Sequence, residues 1–235
     1  MTPETHTHLL QVCRTCGGGA PVDVHFCPSC TKILTISRQG DYFSFLGLPR
    51  KLNLDANLVE QQFRALSRQF HPDYFYNSTP TERRASLERS SYLNDAYRTL
   101  KQPASRIAYL LDVEGALKAS DHDAVKKVPG SLLEEVFALN EELDEVRDLR
   151  ESGGAEEQWR ARLAAAAAPI ESKRAEHEAQ LLSLSAQWDA LSPGDVAGRA
   201  EVLGALRERT LERNYINNLL ATIEREATGH GGPQL

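Results

Sequence analysis

The octapeptide RQFHPDYF, residues 68–75, places a proline between a histidine and an aspartate at the point where a helical pattern stops. Pro72 has no amide to donate and disfavours helical geometry in the residue before it, so a helix running into His71 ends there. Upstream, Asp55 stands where it can cap a helix whose apolar residues Val59, Phe63, Leu66 and Phe70 recur at steps of four, three and four. Downstream, Thr79 or Thr81 caps a second helix with Leu93, Tyr97 and Leu100 on its apolar face. Ala96 is small enough for close approach to the first helix, and Pro103 ends the second. The pattern predicts an antiparallel helical hairpin with His71, Pro72 and Asp73 at its tip, in a loop of about nine residues.

A histidine and an aspartate two residues apart have the composition of a base and its orienter. No nucleophile, oxyanion donor or glycine-rich phosphate loop lies near them in the sequence, and metal binding needs more ligands than this loop holds. The tripeptide therefore reads as a capping turn or a recognition loop rather than a catalytic pair. On the polar face of the preceding helix, Arg64 and Arg68 are four residues apart and so are surface neighbours.

All four cysteines fall in CRTCGGGAPVDVHFCPSC, as Cys13-x-x-Cys16, ten intervening residues, then Cys27-x-x-Cys30. Two such knuckles facing each other supply a tetrahedral thiolate set, with Gly17 to Gly19 and Pro28 offering the tight turns. A redox CxxC more often stands alone, and paired disulfides suit a secreted chain. The spacing predicts a structural metal, zinc before iron, with no open position for catalysis. So short a segment has few apolar residues to bury, so the metal supplies most of its folding free energy.

The composition of the 235-residue chain, 41% hydrophobic and 26% charged, is that of an ordinary soluble globular protein. No run approaches a spanning helix, and the start MTPETHTHLL lacks the basic and apolar regions of a signal peptide, so a cytoplasmic protein is expected. A net charge of −6 disfavours nucleic acid as a partner, and the knuckle region carries only Arg14, Lys32 and Arg38 as nearby cations. From Glu134 to Glu157 ten acidic residues face only Arg147 and Arg150, whereas Arg50 to Arg68 carries four basic residues against Asp55 and Glu60.

After Pro129-Gly130, Leu132, Val136, Leu139, Leu143 and Val146 step by four, three, four and three, a stripe suited to a bundle seam. Leu133 and Phe137 lie one position off it. They either widen the core or remain exposed as an apolar patch on an acidic helix. A second helix from about Glu156 to Trp188, kinked at Pro169, and a third from the SPGD turn to about Glu226 complete a three-helix bundle. AAAAA, before Pro169, reads as a surface or close-packing segment.

The short helix, the amphipathic helix with surface arginines, His71-Pro72-Asp73 and YLNDAYRTL together resemble the J-domain of DnaJ-type co-chaperones. DYFSFLGLP, RQFHPDYF, RIAYLL and LNEELDEV are more specifically similar to the HscB family, which serves iron–sulfur cluster delivery, over about Asp41 to Ile223. The double-CxxC module is similar to the metal-binding extension of some members. The resemblance implies an all-α protein: a four-cysteine module (1–38), a J-domain (39–111), a linker (112–130), a scaffold-binding three-helix bundle (131–226) and a tail (227–235). It implies that His71, Pro72 and Asp73, with Arg64 and Arg68, engage a DnaK/HscA-class ATP-dependent chaperone and stimulate its ATPase. It implies that Leu133, Glu134, Phe137, Ala138 and Glu141, with Tyr215, bind an IscU-type scaffold. Such a protein performs no bond chemistry of its own. Tyr74 stands where many J-domains carry a lysine, and Glu134 where some members carry an apolar residue. A general J-domain protein with another client is the alternative, and homodimerisation through the module stays open.

Overall fold

The computed structural model describes residues 10–36, 40–117 and 128–228. The chain divides into two compact units between Val113 and Glu114. Helices dominate both. Among the described residues the strands are one antiparallel pair, β1 (Leu10–Val12) and β2 (Gly19–Pro21), with Gln11 opposite Ala20.

The first unit contains that ribbon and helices α1 (Tyr42–Phe45), α2 (Ala56–Phe70), α3 (Pro80–Lys101) and α4 (Pro103–Val113). Local chemistry sets each start. Asp41 and Ser44 cap α1 reciprocally, and the Asp55 carboxylate accepts from the Asn57 amide at the start of α2. Thr79, not Thr81, caps α3, in a capping box with Glu82 and with Pro80 in the first turn. The predicted stripe packs inward: Val59, Leu66 and Phe70 of α2 are buried, as are Leu93, Ala96 and Leu100 of α3. Phe63 instead stacks on Tyr97 with ring centroids 4.2 Å apart. Tyr42 stacks on Tyr109 at 4.4 Å, which fastens α1 to α4. Arg106 of α4 is buried and donates to the carbonyls of Leu100 and Leu52, supplying acceptors that a buried guanidinium requires.

In the second unit a short 3-10 turn (Gly130–Leu132) leads into α5 (Leu133–Glu151), followed by α6 (Glu156–Ala190) and α7 (Val196–Ala227). α6 runs unbroken through Pro169. Gly153 at φ +77° ends α5: its amide reaches the Arg150 carbonyl and that of Gly154 the Leu149 carbonyl, the paired bonds of a Schellman stop. Ser131 meets Glu212 near one end of the α5–α7 contact and Arg147 meets Glu226 near the other, so those helices run parallel. Arg162 of α6 pairs with Glu142 and Lys173 with Glu135, which makes α6 antiparallel to α5.

Leu132, Leu139, Leu143, Val146, Leu163, Ile170, Ile216 and Ile223 form the bundle core. Ala166 and Ala167 of the alanine run pack against it, the close-packing role their size allows. Glu212, buried on α7, gathers Ser131 at 2.9 Å, Arg209 at 2.5 Å and the buried His177 of α6 at 3.3 Å, a polar cluster that ties α6 and α7 to the turn before α5. Burial holds His177 below the ordinary imidazole range. Truncating a core leucine here leaves a cavity, so Leu143→Ala is expected to cost about 2–5 kcal/mol. Denaturant melts followed by tryptophan fluorescence measure this through Trp159 and Trp188.

Candidate functional site

The predicted tip is built as follows. The backbone of His71 leaves the helix with ψ 127°, and Pro72–Phe75 then close a single 3-10 turn. His71 Nδ1 accepts from the Asp73 amide at 3.4 Å and lies 3.4 Å from the Asp73 carboxylate, while the Tyr74 amide donates to the His71 carbonyl at 3.0 Å. Proline and these bonds order the turn while leaving the His71 and Asp73 side chains open to solvent. Tyr74 projects outward, 73% exposed, with its ring 6.1 Å from that of His71. The surface beside the turn is therefore aromatic at this position.

Three residues of α3 that no sequence pattern singles out brace this tip. Ser86 and Ser90 of α3 both donate to the Phe70 carbonyl, at 2.6 and 3.1 Å. That carbonyl is among the helix-end acceptors left without an intrahelical donor, and the two hydroxyls both donate to it instead. Arg83 reaches from α3 to the carbonyls of Tyr76 and Ser78 at 3.3 and 3.4 Å. Arg64 and Arg68 are exposed on α2 as the spacing predicts. They are not equivalent. Arg64 donates to Glu60 at 2.8 Å, and Glu60, held below the usual carboxylate range by hydrogen bonds from Tyr97 and Arg64, fixes that guanidinium in place.

The four cysteines converge. Their sulfur atoms all lie within 4.8 Å of one another, with Cys13 to Cys30 and Cys16 to Cys27 at 3.7 Å. A tetrahedral thiolate site with metal–sulfur bonds of about 2.3 Å separates its sulfurs by roughly 3.8 Å, so the geometry fits one ion. The two knuckles share one design. Gly17 and Thr31 each donate to the carbonyl of the first cysteine of their pair, at 2.9 and 2.8 Å, and each adopts positive φ, +75° and +58°. The sequence placed glycine at the first of these positions, but the second left-handed residue is a threonine, a costlier choice that composition did not signal. Backbone amides of Cys16 and Thr15 lower the Cys13 thiol to about 6, and amides of Cys30 and Ser29 lower that of Cys27. Cys30 is moved the other way, to about 12, by burial and the neighbouring sulfurs, so a bound metal must displace its proton to gain the fourth thiolate.

On α5, Leu133 is 44% exposed and Phe137 71% exposed, so the residues off the stripe do not widen the core. Glu134, Ala138 and Glu141 are exposed beside them, whereas Tyr215 of α7 is half buried and packs against the bundle core. The surface patch is therefore carried mainly by α5.

Residues 41–109 match the DnaJ domain family. Among solved structures, that of the human co-chaperone protein HscB is similar with a TM-score of 0.66 at 25% identity, covering 92% of this chain and 98% of that one. Chaperone HscB from Vibrio cholerae is similar with a TM-score of 0.58 at 27% identity, covering 81% of this chain and all of that one. The chain is a J-domain co-chaperone of the HscB type. In this HscB-type chain the His-Pro-Asp turn and the exposed face of α5 belong to different compact units. Among the described residues no helix is long and apolar enough to cross a membrane.

Proposed function

We propose that the protein binds a DnaK/HscA-class ATP-dependent chaperone through His71, Pro72 and Asp73, with Arg64 and Arg68 flanking, and an IscU-type iron–sulfur scaffold through α5. The observation that carries this reading is the presence, in one chain, of an ordered but solvent-exposed His-Pro-Asp turn and of a phenylalanine left uncovered on an acidic helix. An ordered turn docks at low entropic cost, and a bare aromatic side chain beside Leu133 is what an apolar partner surface covers. Glu134 and Glu141 frame that patch and favour a partner with a basic rim.

Bridging two partners raises their effective concentration, and binding one chaperone state in preference to another shifts the chaperone towards the form that closes on its client and hydrolyses ATP. No bond chemistry is needed from this chain. Cys13, Cys16, Cys27 and Cys30 hold the metal, which we assign as zinc in a structural role, since four thiolates leave no position open for substrate.

Phe137→Ala is expected to weaken scaffold binding by about 2 kcal/mol, roughly thirtyfold in Kd, as loss of a central aromatic anchor does. Stimulation of the chaperone in the absence of scaffold is expected to be unchanged. Titration calorimetry with the scaffold, beside an ATPase assay without it, separates the two, and unaltered scaffold affinity would remove Phe137 from the interface.

A further inference from the structure

The metal module does not hang free of the J-domain. Its second knuckle is carried on a hairpin in which Phe26 pairs with Ile33, the Cys27 amide donates to the Lys32 carbonyl at 2.9 Å, and the Leu34 amide donates to the His25 carbonyl at 3.0 Å. That hairpin reaches both ends of the His-Pro-Asp loop. At the loop entry, Phe70 meets the His25 ring at 4.9 Å and the Phe26 ring at 6.2 Å. At the loop exit, Lys32 pairs at 2.9 Å with Glu82, whose carboxylate accepts from the Thr79 amide and hydroxyl at 3.1 and 2.8 Å.

Between these anchors lies Arg89 of α3, 2% exposed. Its guanidinium donates to the Leu34 carbonyl at 2.6 Å, the Thr35 carbonyl at 3.3 Å and His25 Nδ1 at 2.8 Å. It also lies over the rings of Phe45 and Phe70, at 5.7 and 5.6 Å. With Nδ1 of His25 facing the guanidinium, that ring nitrogen serves as an acceptor, and Arg89, lowered by burial to about 10, keeps its charge. A buried cation is tolerable only where acceptors are fixed in place. His25 and Leu34 close the hairpin that Cys27 and Cys30 anchor, and Thr35 directly follows it, so all three hydrogen-bond acceptors are placed by that hairpin.

We infer that metal bound by the four cysteines sets the geometry of the His-Pro-Asp loop, with Arg89 as the positioning residue that transmits it. The inference rests on the proposed chaperone docking at that loop. Without metal the hairpin loses its fixed shape, the acceptors of Arg89 move, and Phe70 and Glu82 lose their outer supports. The loop then samples other conformations, and chaperone affinity falls in proportion to the fraction still competent.

The test uses the full chain, loaded with zinc or stripped by a chelator, together with Arg89→Leu and, should that variant not fold, Phe26→Ala. Amide exchange is followed by mass spectrometry over residues 68–79, beside chaperone ATPase titrations. Stripping zinc is expected to speed exchange in the loop about tenfold and leave α5 to α7 unchanged. The variants are expected to retain one zinc per chain yet exchange faster in the same loop. Their half-maximal concentration for stimulation should rise about tenfold while the rate at saturation stays the same. Identical loop exchange with and without zinc overturns the inference, whatever the ATPase does. An unstimulated chaperone with a zinc-dependent loop would instead overturn the docking reading and leave the metal-to-loop link standing.

Discussion

His71→Gln is expected to reduce stimulation of the partner chaperone's ATPase to the rate of the chaperone alone while leaving the fold intact. The imidazole contributes little to stability: it is half exposed and its one backbone contact is a 3.4 Å bond to the Asp73 amide. Surface changes of that kind stay within about 0.5 kcal/mol, so the melting curve should hardly move. The proposed docking surface, by contrast, centres on the three residues of an ordered turn, with Arg64 and Arg68 only flanking it. Glutamine can accept a hydrogen bond but cannot offer an aromatic ring at the same place, and nothing else in the turn replaces it. Steady-state ATPase with wild type and variant, beside thermal melts of both, measures the separation. Stimulation at the wild-type level by a folded variant would remove the tip from the mechanism.

The second large effect is on the metal module. Replacing Cys16 and Cys30 together by serine removes one ligand from each knuckle, and the bound metal is expected to fall from one ion per chain to none. Structural zinc in small domains is worth about 10–16 kcal/mol at neutral pH, far more than this module's own core can supply. That core comprises Cys13, Ala20, Cys27 and Leu34, half of it ligands. Amide protection over residues 10–36 should therefore be lost in the variant, while the bundle of α5, α6 and α7 keeps its own. Elemental analysis and hydrogen exchange on the same samples report both. Wild-type protein with no bound metal and with its cysteines joined as two disulfides would contradict the assignment, since the nearest sulfur pairs here stand 3.7 Å apart, well beyond a disulfide bond of about 2.05 Å.

The helices were legible because their signals are local. Val59 to Phe70 repeats with helical period, Pro72 and Pro103 punctuate the chain, and Asp55 and Thr79 mark starts that hydrogen bonds to nearby amides then realise. The cysteine spacing was equally readable, because two knuckles need only short turns. The role of Leu133 and Phe137 was ambiguous in sequence, since a stripe one residue wider also suits a buried helix. Packing resolves it, with Leu132 buried and Phe137 bare.

The links between module and hairpin could not be read. His25 and Arg89 are separated by 64 positions, and no periodicity connects a residue of a metal knuckle with one on a helix. Arg89 in particular sits in the charged run ERRASLERS, where a solvated side chain is the natural expectation. The structure buries it because the knuckle brings carbonyl oxygens and an imidazole to meet it. Tyr74 was conspicuous as a departure from a basic position, and the structure shows an exposed ring rather than a buried one. Its contact with a chaperone would be apolar and less sensitive to salt than a lysine's.

The most direct test of the bridging account is the turnover of a DnaK/HscA-class ATPase measured with this protein, with an IscU-type scaffold, and with both. The account predicts stimulation by the protein alone and a further rise, beyond the sum of the separate effects, when the scaffold is added. Stimulation that is indifferent to the scaffold would contradict the bridging role and point to another client, and no stimulation at all would contradict the co-chaperone mechanism itself.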